Sequence, residues 1–227
     1  MPESSPWPAW LQALELSVRV AGVATLLAAL LAIPLAYYLV RARFWGRSLV
    51  EGFLLLPLVL PPTVIGYYLL VVLGRRGWLG QYLDRWFDYS ITFHWHGAVV
   101  AATVVAFPLL YLSARAGFAQ VDRELEDVAR LQGANHWQLL WHVSLPLAAR
   151  GIMAGLVLAF ARALGEFGAT LMLVGTGSKT QTLPLVIYFY HETNQDQLGL
   201  LTALTLSGVA LVMVGIYNRS FFSRQSS

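Results

Sequence analysis

The stretch GFLLLPLVLPPTVIGYYLLVVLG, from Gly52 to Gly74, holds 23 consecutive residues without a charged side chain. A helix needs about 20 largely apolar residues to cross the hydrocarbon core of a bilayer, so this stretch predicts a membrane span. Three other intervals are also free of charge: Val20 to Val40, Gly97 to Ala114 and Gln197 to Asn218. A fifth apolar interval, from about Leu147 to Val174, is interrupted by charged residues. The sequence therefore predicts an all-α polytopic membrane protein with five transmembrane helices.

The amino-acid composition supports this class. Of 227 residues, 57% are hydrophobic and 12% are charged, about half the charged fraction of an ordinary soluble domain. The net charge is only +3 and the basic residues fall in short connectors, so no nucleic-acid partner is expected. Cysteine is absent, which excludes disulfides and thiolate metal sites. We expect one transmembrane domain over residues 1–227, with spans at about 14–40, 51–74, 97–115, 147–174 and 197–218.

Basic residues are divided unequally between the two sets of connecting segments. Cytoplasmic segments retain Arg and Lys, which makes this division a guide to orientation. One set holds nine: Arg41, Arg43, Arg47, Arg115, Arg123, Arg130, Arg150, Arg219 and Arg224. The other holds four: Arg75, Arg76, Arg85 and Lys179. This distribution predicts that the N-terminus lies outside and the C-terminus lies in the cytoplasm.

Prolines and two charged residues mark candidate positions for a path or gate within the spans. Pro61 and Pro62 lie inside the second span, where they remove backbone donors and predict a kinked helix; the alternative is that proline is simply commoner in membrane helices. Arg162 and Glu166 are four residues apart and so share one helix face. They are expected to neutralise each other as an internal pair, or else to act in the path.

The longest polar interval, residues 116–146, has the signals of two short helices. Asp122 is a candidate N-cap for the first helix, and Gly133 is the expected left-handed stop. Asn135 is a candidate N-cap for a second helix, expected to end at Leu145-Pro146. That second helix exposes an apolar and aromatic set consisting of Trp137, Leu140, Trp141 and His142. Such a surface is typical either of a helix at the lipid interface or of a docking site for a cytoplasmic partner.

The spacing within this loop resembles a known family. In ABC importer permeases, the "EAA" loop has the pattern Glu-Ala-Ala, three residues, Gly, nine residues, Ile, one residue, Leu-Pro. The matching residues here are Asp127, Val128, Ala129, Gly133, Val143, Leu145 and Pro146. Three of them differ from the pattern, conservatively in charge or shape. The resemblance implies a type I ABC importer permease fold in which this cytoplasmic loop couples to an ATPase.

Three longer segments extend the resemblance to the molybdate permease subunits. They are LLPLVLPPTVIGYYLLVVLGRRGWLG from Leu55, FARALGEFGATLMLVG from Phe160 and TQTLPLVIY from Thr180. The resemblance implies a homodimer in the cytoplasmic (inner) membrane, two ATPase subunits and an extracytoplasmic molybdate-binding protein. It also implies that ATP and Mg²⁺ are bound by the ATPase and that this chain holds no cofactor. Sulfate or thiosulfate permeases are the nearest alternatives, and tungstate is not distinguished from molybdate.

Other readings of the sequence are less well supported. A secondary transporter or channel independent of an ATPase would be expected to show internal repeats, and none is visible; an assembly or anchoring protein would leave the two-helix loop unexplained.

Gly175 to Thr180 lacks the spacing of a phosphate-binding loop, since Ser178 separates Gly177 from Lys179. His94 and His96, with Asp84 and Asp88, have no recognised metal-ligand spacing. We therefore expect neither a nucleotide site nor a metal site, and no enzymatic activity, on this chain.

Overall fold

A computed structural model describes residues 9–175 and 180–222 as a bundle of helices. Within these residues, four helices are long and apolar enough to cross a membrane, and one bent helix pair forms a fifth candidate span. The long helices are α1 (Ala9–Arg41), α5 (Trp95–Ala119), α8 (Leu145–Leu164) and α11 (Asp196–Phe222). The shorter ones are α2 (Arg47–Val59), α3 (Pro62–Leu73), α4 (Gly80–Phe87), α6 (Arg123–Leu131), α7 (His136–Leu139), α9 (Gly168–Val174) and α10 (Leu183–Glu192). The predicted all-α polytopic class is confirmed.

Helix α5 is the centre of the bundle, where it packs against α1 and α8, which also contact each other. Its contact with α1 is built from small side chains that are fully buried. They are Ala24, Ala28, Ala32 and Ala36 on α1, and Ala98, Ala102 and Ala106 on α5. Small residues let two backbones approach closely, which is the main source of helix association in an apolar solvent.

Glycines bring α5 and α8 together. A Cβ atom built on Gly151 would lie 2.8 Å from the Cα of Gly117, and one built on Gly155 would lie 2.8 Å from the Cβ of Ser113. The first clash is with backbone, which has little freedom to move aside. Gly151 is therefore required by the close approach of the two helices.

We expect Gly151→Ala to lower the thermal stability of the purified protein. Overpacking of this kind costs about 1–3 kcal/mol, more than the gain of about 1 kcal/mol that alanine brings to a helix. Gly208→Ala on α11 is the matched control, because a Cβ there meets no atom within 4 Å. Equal midpoints of thermal unfolding for the two variants would contradict this packing.

The second predicted span is broken in two, which corrects the expectation of one helix over 51–74. Helices α2 and α3 meet at an angle of 111°. Leu60 adopts an extended conformation (ψ 143°), as expected for a residue that precedes proline, and Pro62 occupies the first position of α3. The break therefore follows from Pro61-Pro62.

The predicted span 147–174 also needs correction, at both ends of α8. Helix α8 stops at Leu164, and α9 begins only at Gly168. At its other end, α8 continues directly from α7 through a π-helical turn, Leu140–Ser144. Leu145-Pro146 therefore does not end the second loop helix as expected. The widened turn just before Pro146 accommodates the residue that lacks a backbone donor.

The remaining spans lie where they were expected. Helices α1, α5 and α11 contain the predicted spans 14–40, 97–115 and 197–218. Pro34 and Pro108 lie inside continuous helices. Helices α4 and α10, at the end of the bundle opposite the 116–146 loop, were not predicted.

Candidate functional site: the inner loop and two helix breaks

The first helix of the loop is bounded as the sequence predicts. The Asp122 carboxylate accepts a hydrogen bond from the amide of Glu124 at 2.9 Å, which caps the start of α6. At the other end, Gly133 has φ +89°, a conformation that L side chains rarely adopt. The Gly133 amide donates to the Arg130 carbonyl at 2.9 Å, closing the helix.

The second helix of the loop begins with a reciprocal cap. The Asn135 side chain accepts from the Gln138 amide, and the Gln138 side chain accepts from the Asn135 amide, both at 2.9 Å. This capping box satisfies two donors at the helix start. Gly133 and the two caps together fix the angle between α6 and α7.

Helix α6 is turned with its apolar face outward. Leu131 is 89% exposed, and Leu125 and Val128 are about half exposed, whereas Glu126 on the same helix is only 2% exposed. Trp137 and Trp141 of the second loop helix are exposed as well, while Leu140 is half-buried against the core, contrary to expectation. We call the exposed set of Val128, Leu131, Trp137 and Trp141 the docking face. A helix that buries its carboxylate and exposes its leucine has the opposite of the usual amphipathic arrangement, which is typical of a surface that contacts a partner protein or lipid.

Glu126 anchors this loop to the end of α1. Its carboxylate accepts from Nε of Arg41 at 2.9 Å, forms a second, closer contact with Nη2 of Arg41, and accepts from the Ser144 hydroxyl at 2.7 Å. The Arg130 guanidinium lies 3.7 Å away. Three elements, α1, α6 and the π-helical turn, therefore meet at one carboxylate. This site was not predictable from the sequence, because Arg41 and Glu126 are 85 residues apart.

The environment of Glu126 favours its charged form. Burial raises the pKa of this carboxyl, but the hydrogen bonds from Arg41 and Ser144 and the charges of Arg41 and Arg130 outweigh burial, so its pKa falls below the ordinary value of 4.5. A lowered folded-state pKa means that the stabilisation is complete above pH 4.5 and is lost as the pH falls through the folded-state pKa.

We therefore expect the stability difference between wild type and Glu126→Gln to be large at neutral pH and to shrink below about pH 4.5. The variant leaves the Arg41 guanidinium without its carboxylate, and breaking a buried pair costs about 3–5 kcal/mol. Hydrogen exchange of the 116–146 loop measures the difference. Asp127→Asn is the control, because Asp127 is exposed and its ion pair with Arg130, at 2.6 Å, lies at the surface. A difference that does not depend on pH would contradict the ion pair.

The other motif residues occupy distinct surroundings. Ala129 and Val143 are half-buried, and Leu145 packs against the core. Pro146 is exposed and lines an open cavity with Arg150, next to Leu125. The structure therefore places the motif on one continuous loop, with its apolar members divided between core and surface.

Glu166 lies in the break between α8 and α9 and is 3% exposed. Its carboxylate lies 2.6 Å from Nη1 of Arg162, and it also accepts from the Ala169 amide at 2.9 Å. The predicted pairing of Arg162 with Glu166 is present. The second contact, which caps the start of α9, was not predicted.

The two helix breaks lie side by side. A Cβ atom on Gly168 would lie 3.1 Å from the Cβ of Pro62, and one on Gly66 would lie 2.7 Å from the Cα of Ala169. Helices α3 and α9 therefore touch along their backbones. The structure brings the Pro61-Pro62 break and the Arg162–Glu166 pair, which were proposed separately, to one place. Pro61 is exposed there and Pro62 is half-buried.

The segments considered for metals and nucleotides are only partly described by the structure. Nδ1 of His96 lies 2.5 Å from the Tyr89 hydroxyl. In residues 9–175 and 180–222, no three His, Asp or Glu side chains are grouped to hold a metal ion. The Thr176 to Lys179 part of the glycine-containing segment lies outside the described residues.

An EAA-like loop on a bundle of membrane helices, two of them broken, defines the membrane component of a transport system. The sequence matches the model of the family "binding-protein-dependent transport system inner membrane component" over residues 24–223, and the chain belongs to this family. It is 44% identical, over 89% of its own length and 91% of the other, to the molybdenum transport system permease protein ModB of Haemophilus influenzae.

Two further comparisons address substrate and fold. The sulfate transport system permease protein CysW of Synechococcus elongatus is 34% identical over 88% of this chain and 70% of its own. The structure of a bacterial ABC transporter involved in the import of alginate superimposes with a TM-score of 0.74 at 17% identity, covering 98% of this chain and 85% of the other. The fold implied by the sequence resemblance is thus confirmed.

Proposed function

We propose that this chain is the membrane-spanning subunit of an ATP-driven importer of molybdate. The observation that carries the proposed coupling to an ATPase is the outward-facing docking face on the loop of EAA spacing. The chain is more similar to a molybdenum permease than to a sulfate permease, and this supports molybdate as the substrate. The chain itself is a permease subunit, and we propose that the hydrolysis of ATP with Mg²⁺ takes place on its partner.

The docking face is suited to the groove of a cytoplasmic ATPase. Leu131 and Trp137 project from two capped helices whose relative angle is fixed, so they present a rigid apolar surface. Rigid apolar anchors lose little entropy on binding. Movement of the ATPase would be transmitted through Glu126 to the end of α1, since Arg41 ties the loop to that helix.

Two copies of the chain are proposed to enclose the path. One copy exposes the helix break at Pro61, and a single layer of helices around it would leave a doubly charged oxyanion facing lipid. A two-fold dimer places one loop over each of two ATPase subunits. The backbone amide and the exposed hydroxyl of Thr63, at the start of α3, are suited to weak solvation of the anion.

The loop end of the bundle is proposed to face the cytoplasm, and the opposite end, including α4, to receive a molybdate-loaded binding protein. The distribution of basic residues supports this orientation. The native chain has no cysteine, so single cysteines at Arg85 and Gln132, both exposed, test it directly. An impermeant thiol reagent should label only the first in intact cells.

Co-purification with an ATPase tests the coupling. The variant Gly133→Val should reduce the amount of ATPase that co-purifies with the chain. A β-branched residue at φ +89° costs about 1–2 kcal/mol and turns α7 away from α6. Gly133→Asn is the matched control, because asparagine adopts positive φ more readily and a Cβ at this position meets no atom within 4 Å. Full ATPase recovery with the valine variant would contradict the docking role.

A further inference from the structure

A cavity of about 190 Å³ lies at the loop end of the bundle, where α1 and α5 end and α2 and α6 begin. Half of its lining residues are arginines: Arg41, Arg47, Arg115 and Arg123. Among the described residues no carboxylate lines it. The guanidinium group presents several N–H donors in a plane and matches the oxygens of a phosphate group. The donor chemistry of the cavity therefore fits a phosphate-type anion.

The carboxylates near this cavity neutralise only part of the positive charge of its arginines. Glu126 engages Arg41. Glu51 engages Arg47 and Arg115. Its carboxylate oxygens lie 3.0 Å from Nε of Arg47 and 3.3 Å from Nη2 of Arg115. Three guanidiniums thus share two carboxylates.

Arg123 adds a fourth guanidinium with no carboxylate of its own. Within the described residues it makes no hydrogen bond or ion pair, and the neighbouring Asp122 carboxylate is engaged by the Glu124 amide. The four arginines and the two carboxylates leave an excess of two positive charges around the cavity. An anion bound there would meet that excess.

The position of the cavity in the bundle matches the depth of lipid headgroups. Its walls include the last residues of two membrane spans, Arg41 of α1 and Ala119 of α5. The turn that follows α1 carries Phe44, which is exposed, and Trp45, which is 100% exposed. Exposed aromatic residues concentrate where a membrane meets water. Basic pockets between membrane helices at this level are suited to acidic headgroups.

We propose that this cavity binds the phosphodiester headgroup of an anionic phospholipid. The Arg123 guanidinium, which has no competing carboxylate, and the Arg47 guanidinium donate to the phosphate oxygens. Bound there, the lipid bridges the ends of α1 and α5 to the first helix of the loop. The site is separate from the two helix breaks and does not depend on which solute the importer carries.

Native mass spectrometry of the full chain tests this proposal by titration with phosphatidylglycerol, phosphatidylcholine, inorganic phosphate and molybdate. Phosphatidylglycerol should bind at least about ten-fold more tightly than phosphatidylcholine, and neither free anion should displace it. Arg47→Gln/Arg123→Gln should weaken phosphatidylglycerol binding roughly thirty-fold, since each cation contributes about five-fold. Glu51 keeps Arg115 in this variant.

Arg43→Gln/Arg85→Gln is the matched control, since it removes the same charge from exposed positions that do not line the cavity. Equal weakening by both pairs, or equal binding of the two lipids, would overturn the site. Displacement of phosphatidylglycerol by phosphate or molybdate would assign the cavity to a free oxyanion instead. If the double variant does not fold, Arg123→Gln alone decides, because Arg123 loses no partner and its replacement should still weaken the lipid adduct.

Discussion

Replacing Leu131 with aspartate is expected to abolish ATP-driven uptake while the protein still folds. Leu131 is 89% exposed at the end of α6, so the isolated chain loses almost no packing with this change. In the proposed complex, the ATPase covers the same position. Burying an unpaired carboxylate in an apolar groove costs several kcal/mol, and roughly 3 kcal/mol already lowers binding more than a hundred-fold.

Gln132→Asp is the matched control for Leu131→Asp. It adds the same charge at the same end of α6, where an acidic group opposes the helix dipole, but it removes no apolar contact. Uptake and recovery of the ATPase should be close to wild type for Gln132→Asp and absent for Leu131→Asp. Normal uptake by the Leu131 variant would show that the docking face is not where the ATPase binds.

Glu166→Gln is expected to reduce the amount of folded protein in the membrane several-fold. The Glu166 carboxylate is buried and holds Arg162 at 2.6 Å, so the amide leaves a guanidinium unpaired within the span. Breaking a buried pair costs about 3–5 kcal/mol. The hydrogen bond from the Ala169 amide can still be accepted by glutamine, so the start of α9 remains capped.

The double variant Arg162→Gln/Glu166→Gln separates packing from transport. It leaves no unpaired charge, and the abundance of folded protein should recover. Uptake that recovers with abundance would support a structural pair. A dimeric double variant of normal abundance that carries no molybdate would instead place the pair in the path or its gate.

The sequence was sufficient for features that depend on neighbouring residues. Asp122, Gly133 and Asn135 act on amides within a few positions of themselves, so their roles follow from local chemistry. Charge-free length located the spans of α1, α5 and α11 for a similar reason, because the requirement to cross the bilayer acts on each helix separately. The break at Pro61 was foreshadowed as a kink, since proline restricts both itself and the residue before it.

Features that depend on distant partners were not predictable in this way. Glu126 is one of several acidic residues on a short polar helix, and only the fold brings Arg41 to it from 85 positions away. The break before α9 contains no proline. It depends on the Glu166 carboxylate accepting the Ala169 amide and on α3 approaching Gly168. The arginine cavity likewise gathers residues from four separate elements.

Reconstituted transport tests the central claim most directly. The permease is placed in vesicles with its ATPase inside and the binding protein outside, and the entry of radiolabelled molybdate is followed with and without internal ATP. The proposed function predicts uptake that requires both ATP and the ATPase. A ten-fold excess of sulfate should leave this uptake largely unchanged. Ten-fold corresponds to about 1.4 kcal/mol of binding preference for molybdate over sulfate. Molybdate entry in the absence of the ATPase, or equal competition by sulfate, would contradict it.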